Sequence, residues 1–82
     1  MTVQSFTGTI TNTTYEDVET LSSITFVADT TYSFQVQNIA NIKIADAEFT
    51  LQNEKFTYKA GTETMYIKTD SVGAVLTILE NE

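Results

Sequence analysis

The chain has 82 residues, eleven acids against four cations, a net charge of −7, and neither histidine nor cysteine. That composition excludes a disulfide framework, a thiolate or imidazole metal site and the commonest general base. It also leaves no basic stripe with which to displace counterions from nucleic acid or to adhere to an anionic membrane.

Length bounds a single domain over residues 1–82, burying roughly 60–65% of its unfolded surface. In chain order, Val3–Ile10 predicts the first strand, with Phe6, Gly8 and Ile10 on one face. A glycine there implies a bulge or a close backbone approach. Asn12-Thr13-Thr14 reads as a polar turn; it also fits the N-glycosylation pattern, but no signal peptide is apparent to accompany it. Tyr15–Leu21 admits a short helical turn capped by Thr14 with Asp17 three residues on, a strand, or an irregular acidic loop. Ile24, Phe26 and Ala28 alternate with Thr25 and Val27 as a second strand, and Asp29-Thr30 turns.

Tyr32–Gln37 alternates most strongly, with Tyr32, Phe34 and Val36 facing one way and Ser33, Gln35 and Gln37 the other. Asn38–Asn41 reads as a hairpin loop, because asparagine tolerates left-handed backbone. Ile42–Ala45 and Ala47–Leu51 follow as strands broken at Asp46, and Gln52–Lys55 reads as a tight turn into Phe56–Lys59. Ala60–Glu63 turns, with Gly61 free to take positive φ. Thr64–Thr69 carries Met65 and Ile67 on one face and Tyr66 on the other, and Asp70–Gly73 turns into Ala74–Glu80.

The pattern predicts an all-β domain, a compact antiparallel β-sandwich or small barrel of about seven strands. Its expected core is Phe6, Ile10, Phe26, Tyr32, Phe34, Val36, Ile42, Ile44, Phe49, Leu51, Phe56, Met65, Ile67, Leu76 and Ile78. Sixteen threonines suit wet strand faces. Lys43, Lys55, Lys59 and Lys68 fall in or beside strands, where charge discourages edge pairing. No apolar run approaches the ~20 residues of a membrane helix. Without a signal peptide the expected site of synthesis is the cytosol.

Only the acids offer versatile chemistry. Asp46 and Glu48 share a face if a strand runs through them, and Glu16, Asp17 and Glu19 cluster near the first loop. Paired carboxylates serve glycoside hydrolysis, but that chemistry needs a cleft and substrate platforms this chain does not supply. Oxygen ligands suit calcium, yet no Asp-x-Asp-x-Asp-Gly loop occurs. A plain solvated acidic surface accounts for the same residues. The expectation is a non-enzyme with no cofactor and no metal. Its candidate contact residues are Tyr15, Glu16, Asp17, Asn38, Asn41 and Tyr66.

From Thr31 onward the chain reads Thr31-Tyr32-Ser33-Phe34-Gln35-Val36-Gln37-Asn38, then Ile42-Lys43-Ile44, Phe49-Thr50-Leu51, Thr64-Met65-Tyr66-Ile67-Lys68-Thr69 and Gly73-Ala74-Val75-Leu76-Thr77-Ile78-Leu79-Glu80. This layout resembles small β-rich structural proteins of tailed bacteriophages and prophages. The resemblance implies a virion component of head, neck or tail, acting by protein–protein assembly, with copies of itself or other virion proteins as partners. Nucleic acid and membranes are not expected partners. A second reading stays open: a monomeric, cytoplasmic binding module whose loops recognise a carbohydrate or a basic protein surface.

Overall fold

In the computed structural model, which describes residues 4–70 and 72–81, the alternation builds one curled antiparallel sheet, a half-barrel. Its elements are β1 (Ser5–Ile10), β2 (Glu16–Asp17), α1 (Val18–Ser22), β3 (Thr31–Ile44), β4 (Ala47–Lys59), β5 (Met65–Thr69) and β6 (Ala74–Glu80). The sheet has six strands, and the expected antiparallel all-β class holds. The expected start of the first strand at Val3, and Ser71 of the last turn, lie outside the described residues.

β3 is the spine. Along one edge it pairs β4 throughout, from Thr31↔Lys59 to Ile44↔Ala47. Along the other edge it serves two strands in succession: Tyr32–Gln37 pairs β6, and Ala40–Ile44 pairs β5. β1 then adds to β6, and the two-residue β2 adds to β5. The sheet therefore forks midway along β3.

At the fork, two sequence-based turns prove to be one β-bulge. Gln37 and Asn38 oppose Asn53 alone, because Val36 pairs Glu54 and Ile39 pairs Gln52. Of the two asparagines of the expected hairpin loop, Asn38 adopts positive φ, 74°, and Asn41 does not; Asn53, of the expected tight turn, does so at 51°, and both lie inside strands. Asn53 Oδ1 accepts the Asn38 N–H at 2.9 Å, replacing the ladder bond that the bulge interrupts. Asn38–Asn41 and Gln52–Lys55 are thus not turns, and four expected strands merge into β3 and β4.

The true hairpin lies at Ala45-Asp46, between the paired Ile44 and Ala47. Asp46 belongs to this turn, so no strand carries Asp46 and Glu48 on a common face. Ala45 sits at φ 53°, where an L side chain is strained by roughly 1–2 kcal/mol. Ala45→Gly is expected to stabilise the protein by about 0.5–1 kcal/mol, after the larger unfolded-state entropy of glycine is offset. The denaturant midpoint in urea checks it, and a lowered midpoint counts against this turn geometry. Gly61, by contrast, is not at positive φ, whereas Gly73 is, at 88°.

Ile24–Ala28 alternates like a strand but pairs with none. Side chains satisfy its amides instead: Gln4 Oε1 accepts from Thr25 N at 2.9 Å, Glu19 Oε2 from Phe26 N at 2.8 Å, and the Tyr32 hydroxyl from Val27 N at 2.7 Å. The segment packs buried Ile24 and half-buried Phe26 against the core without joining the sheet. Tyr15–Leu21 resolves into β2 and α1. Asp17, not Thr14, caps the helix, accepting the Glu19 N–H at 2.8 Å.

The core fills the concave side. Tyr32, Phe34, Val36, Ile42, Met65, Ile67, Leu76 and Ile78 are each at most 1% exposed. Phe6, Phe26, Ile44, Phe49 and Phe56, expected inside, pack against this core half-buried. Ile10, Val18, Ile24, Ala40, Leu51, Tyr58, Ala60 and Ala74 complete it. Gly8 marks neither a bulge nor a close backbone approach: the β1–β6 register runs unbroken, and what a Cβ at Gly8 would meet, at 2.9 Å, is the ring of Phe6.

Candidate functional site

Beyond the fork, the convex face carries a small grid fixed by register. Glu48 and Thr50 of β4 stand beside Lys43 and Asn41 of β3, which stand beside Tyr66 and Lys68 of β5. The intervening Ile42 and Ile67 turn inward to the core, so the period of two directs these residues outward. Tyr15, in the loop before β2, lies over the grid. Its hydroxyl donates to Glu48 Oε1 at 2.8 Å. The Lys68 and Lys43 ammonium groups stand 4.6 and 5.9 Å from its ring centroid. Each such contact at an exposed site contributes about 0.5–1 kcal/mol. Thr50 Oγ1 donates to Asn41 Oδ1 at 2.7 Å. Tyr15, Asn41, Glu48, Phe49, Thr50 and Lys68 line a depression of about 210 Å³, with Lys43 and Tyr66 beside it in the grid.

The site gathers Tyr15, Asn41 and Tyr66 of the expected contact residues. Asp17 pairs Tyr66 at the margin but spends its carboxylate on capping α1, and Glu16 pairs Ile67 on the opposite face. Asn38 lies apart at the bulge, held by Asn53 and by the Gly73 carbonyl at 3.4 Å. The acidic loop is therefore not one cluster. Lys43 and Lys68 are not edge guards either, since β3 and β5 are both paired on two sides. They are half the chain's lysines, and they converge on one tyrosine. Only Lys55 and Lys59 stand on an edge strand.

Partial desolvation, and then the Glu48 carboxylate that accepts its proton and repels the phenolate, hold the Tyr15 phenol above the ordinary 10.0. Tyr15 is therefore a hydrogen-bond donor at neutral pH, not a nucleophile. A folded pKa above the unfolded one means the contribution is present below the unfolded value and is lost as pH rises through the folded one. Absorbance titration of phenolate in wild type and Tyr15→Phe should show that the phenol lost in the variant ionises above the ordinary 10.0. Their stability difference should shrink in that same alkaline window; a Tyr15 that ionises below the ordinary value would contradict the geometry.

Among the described residues, no group of three or more Asp or Glu side chains is placed to hold a metal ion. No helix there is long and apolar enough to cross a membrane. A larger depression, about 290 Å³, lies on the other half of the convex face between Ser33, Gln35, Lys55, Thr57, Thr77 and Leu79. Hydroxyls and amides with one ammonium give it no reactive pair. The Asn12 amide, which fits a glycosylation pattern, instead donates to the Ile67 and Thr14 carbonyls at 2.7 and 3.0 Å, tying the β1–β2 connection to β5. No family model matches the chain, and neither a curated protein nor a solved structure shows significant similarity to it.

Proposed function

We propose that the protein is a non-enzymatic structural part of a phage or prophage particle, acting by protein–protein assembly. The observation that carries this reading is the free edge of β4. Thirteen residues long, it pairs β3 on one side and no described strand on the other. A long open edge is a ready template for pairing with another chain. The resemblance of residues 31–82 to phage structural chains supplies the setting, with residence in the virion.

The loop-borne binding-module reading has less beneath it. Asn38 stands apart from Tyr15, and two lysines rather than a run of acids adjoin that tyrosine, which disfavours a basic partner. The test is quantitative mass spectrometry of purified particles from the producing strain. The chain is expected in a fixed copy number per particle; its absence from particles while abundant in the cell overturns the proposal.

A further inference from the structure

We infer that β4 pairs with β4 of a second copy, antiparallel about a two-fold axis, to continue the sheet across two molecules. This deepens the assembly reading, and rests on it in taking β4 as the strand used. The hydrogen-bonding phase of β4 comes first. A two-residue loop makes Ile44 and Ala47 a bonded pair, so Phe49 and Leu51 bond inward to β3. Glu48, Thr50 and Gln52 then direct their amides and carbonyls outward. Past the bulge, Ala60 N donates to the Thr30 carbonyl at 2.9 Å, which sets Tyr58 and Phe56 inward and Lys55, Thr57 and Lys59 outward.

Three outward positions thus stand on each side of the bulge. One antiparallel register uses all six: Glu48 opposite Lys59 of the second copy, Thr50 opposite its Thr57, and Gln52 opposite its Lys55. The same register matches the faces. Before the bulge β4 turns Ala47, Phe49 and Leu51 toward the core; after it, Phe56 and Tyr58 lie on that side, followed by Ala60. Phe49 then meets Tyr58 and Leu51 meets Phe56 on the concave side, covering the half-buried Phe49 and Phe56. Strand pairs of this kind must present like faces together.

Charge selects a second copy as the occupant. The first half of β4 carries Glu48 and the second half Lys55 and Lys59. Antiparallel self-pairing sets acid against base, and symmetry repeats it. Glu54 opposes this: it shares the concave-side register with Val36 and comes close to its own copy beside the axis. Such an inward charge limits the edge to a reversible dimer.

Light scattering after size exclusion, across a wide concentration range, tests the inference on the full chain. The expected mass is twice 9.1 kDa at high concentration; a monomer at every concentration, or a trimer, overturns it. Glu48→Lys and Lys59→Glu should each weaken the dimer about tenfold, and the combined exchange should restore it, which a folding defect would not. Thr57→Pro removes only an outward N–H and should stay folded by circular dichroism yet monomeric. Glu54→Gln should tighten the dimer, and an unchanged or weaker one overturns the register. A dimer obeying these substitutions in a chain absent from particles leaves this inference standing without the virion role. A particle-borne monomer does the reverse.

Discussion

Phe34→Ala is expected to cost about 3–5 kcal/mol. Phe34 is 1% exposed at the middle of the spine strand. Its ring meets Phe26, Phe56 and Tyr58 at centroid distances of 6.0, 5.9 and 6.3 Å in tilted and edge-to-face arrangements. Truncation removes the transfer energy of the ring and opens a cavity that three other aromatics cannot close together. A domain of this length holds only about 4–12 kcal/mol in total, so the variant loses a large share of it. The thermal midpoint should fall by about 20 °C or more, followed by circular dichroism. Phe34→Leu, which keeps most of the volume, should recover over half of the loss. A fall of only a few degrees in Phe34→Ala would mean that the aromatic row is not packed as described.

Gly73→Ala should cost about 2–3 kcal/mol, by a different route. Gly73 is buried at φ 88°, and a Cβ there would stand 3.0 Å from the Ile10 carbonyl oxygen. Backbone cannot retreat as a side-chain tip does. The residue also closes the turn that begins at Asp70, whose carbonyl accepts the Gly73 N–H at 3.1 Å. Both the strain and the contact fall where β1 meets β6, so the β1–β6 pairing should weaken first. Hydrogen exchange at the amides of Gly8 and Ile10, which face β6, should quicken more than at Ile42, and urea unfolding should report the total. Uniform quickening across the sheet would argue against a local effect.

Alternation made most of the fold legible, and it misled at definable points. In β4 the inward set runs Phe49, Leu51 and then Phe56, Tyr58, changing from odd to even positions. A turn and a bulge both reset that parity, and Gln52-Asn53-Glu54-Lys55 has the polar composition of either. Only pairing to an unbroken β3 decides between them. Ile24–Ala28 carries a strand's alternation, but its amides are satisfied by Gln4, Glu19 and Tyr32, partners remote from its own pattern. Val18, wholly buried, was hidden among Asp17 and Glu19. At the site, Tyr15, Asn41 and Tyr66 were legible as polar or aromatic contact residues. Lys43, Glu48 and Lys68 were not, because what joins them is lateral register across three strands, and local sequence does not encode register.

The order of the strands has a kinetic consequence. β6, between β1 and β3, joins residues 5–10 to residues 74–80, so the earliest and latest strands of the sheet become neighbours. Closing a loop of that length costs entropy before any contact repays it, and topologies of this kind fold slowly. β3 and β4 are joined by two residues and can form on their own account. On a ribosome this hairpin would wait, its aromatic row uncovered, until Ala74–Glu80 emerged. Substitutions in the β3–β4 hairpin should therefore change the folding rate, and substitutions in β1 mainly the unfolding rate.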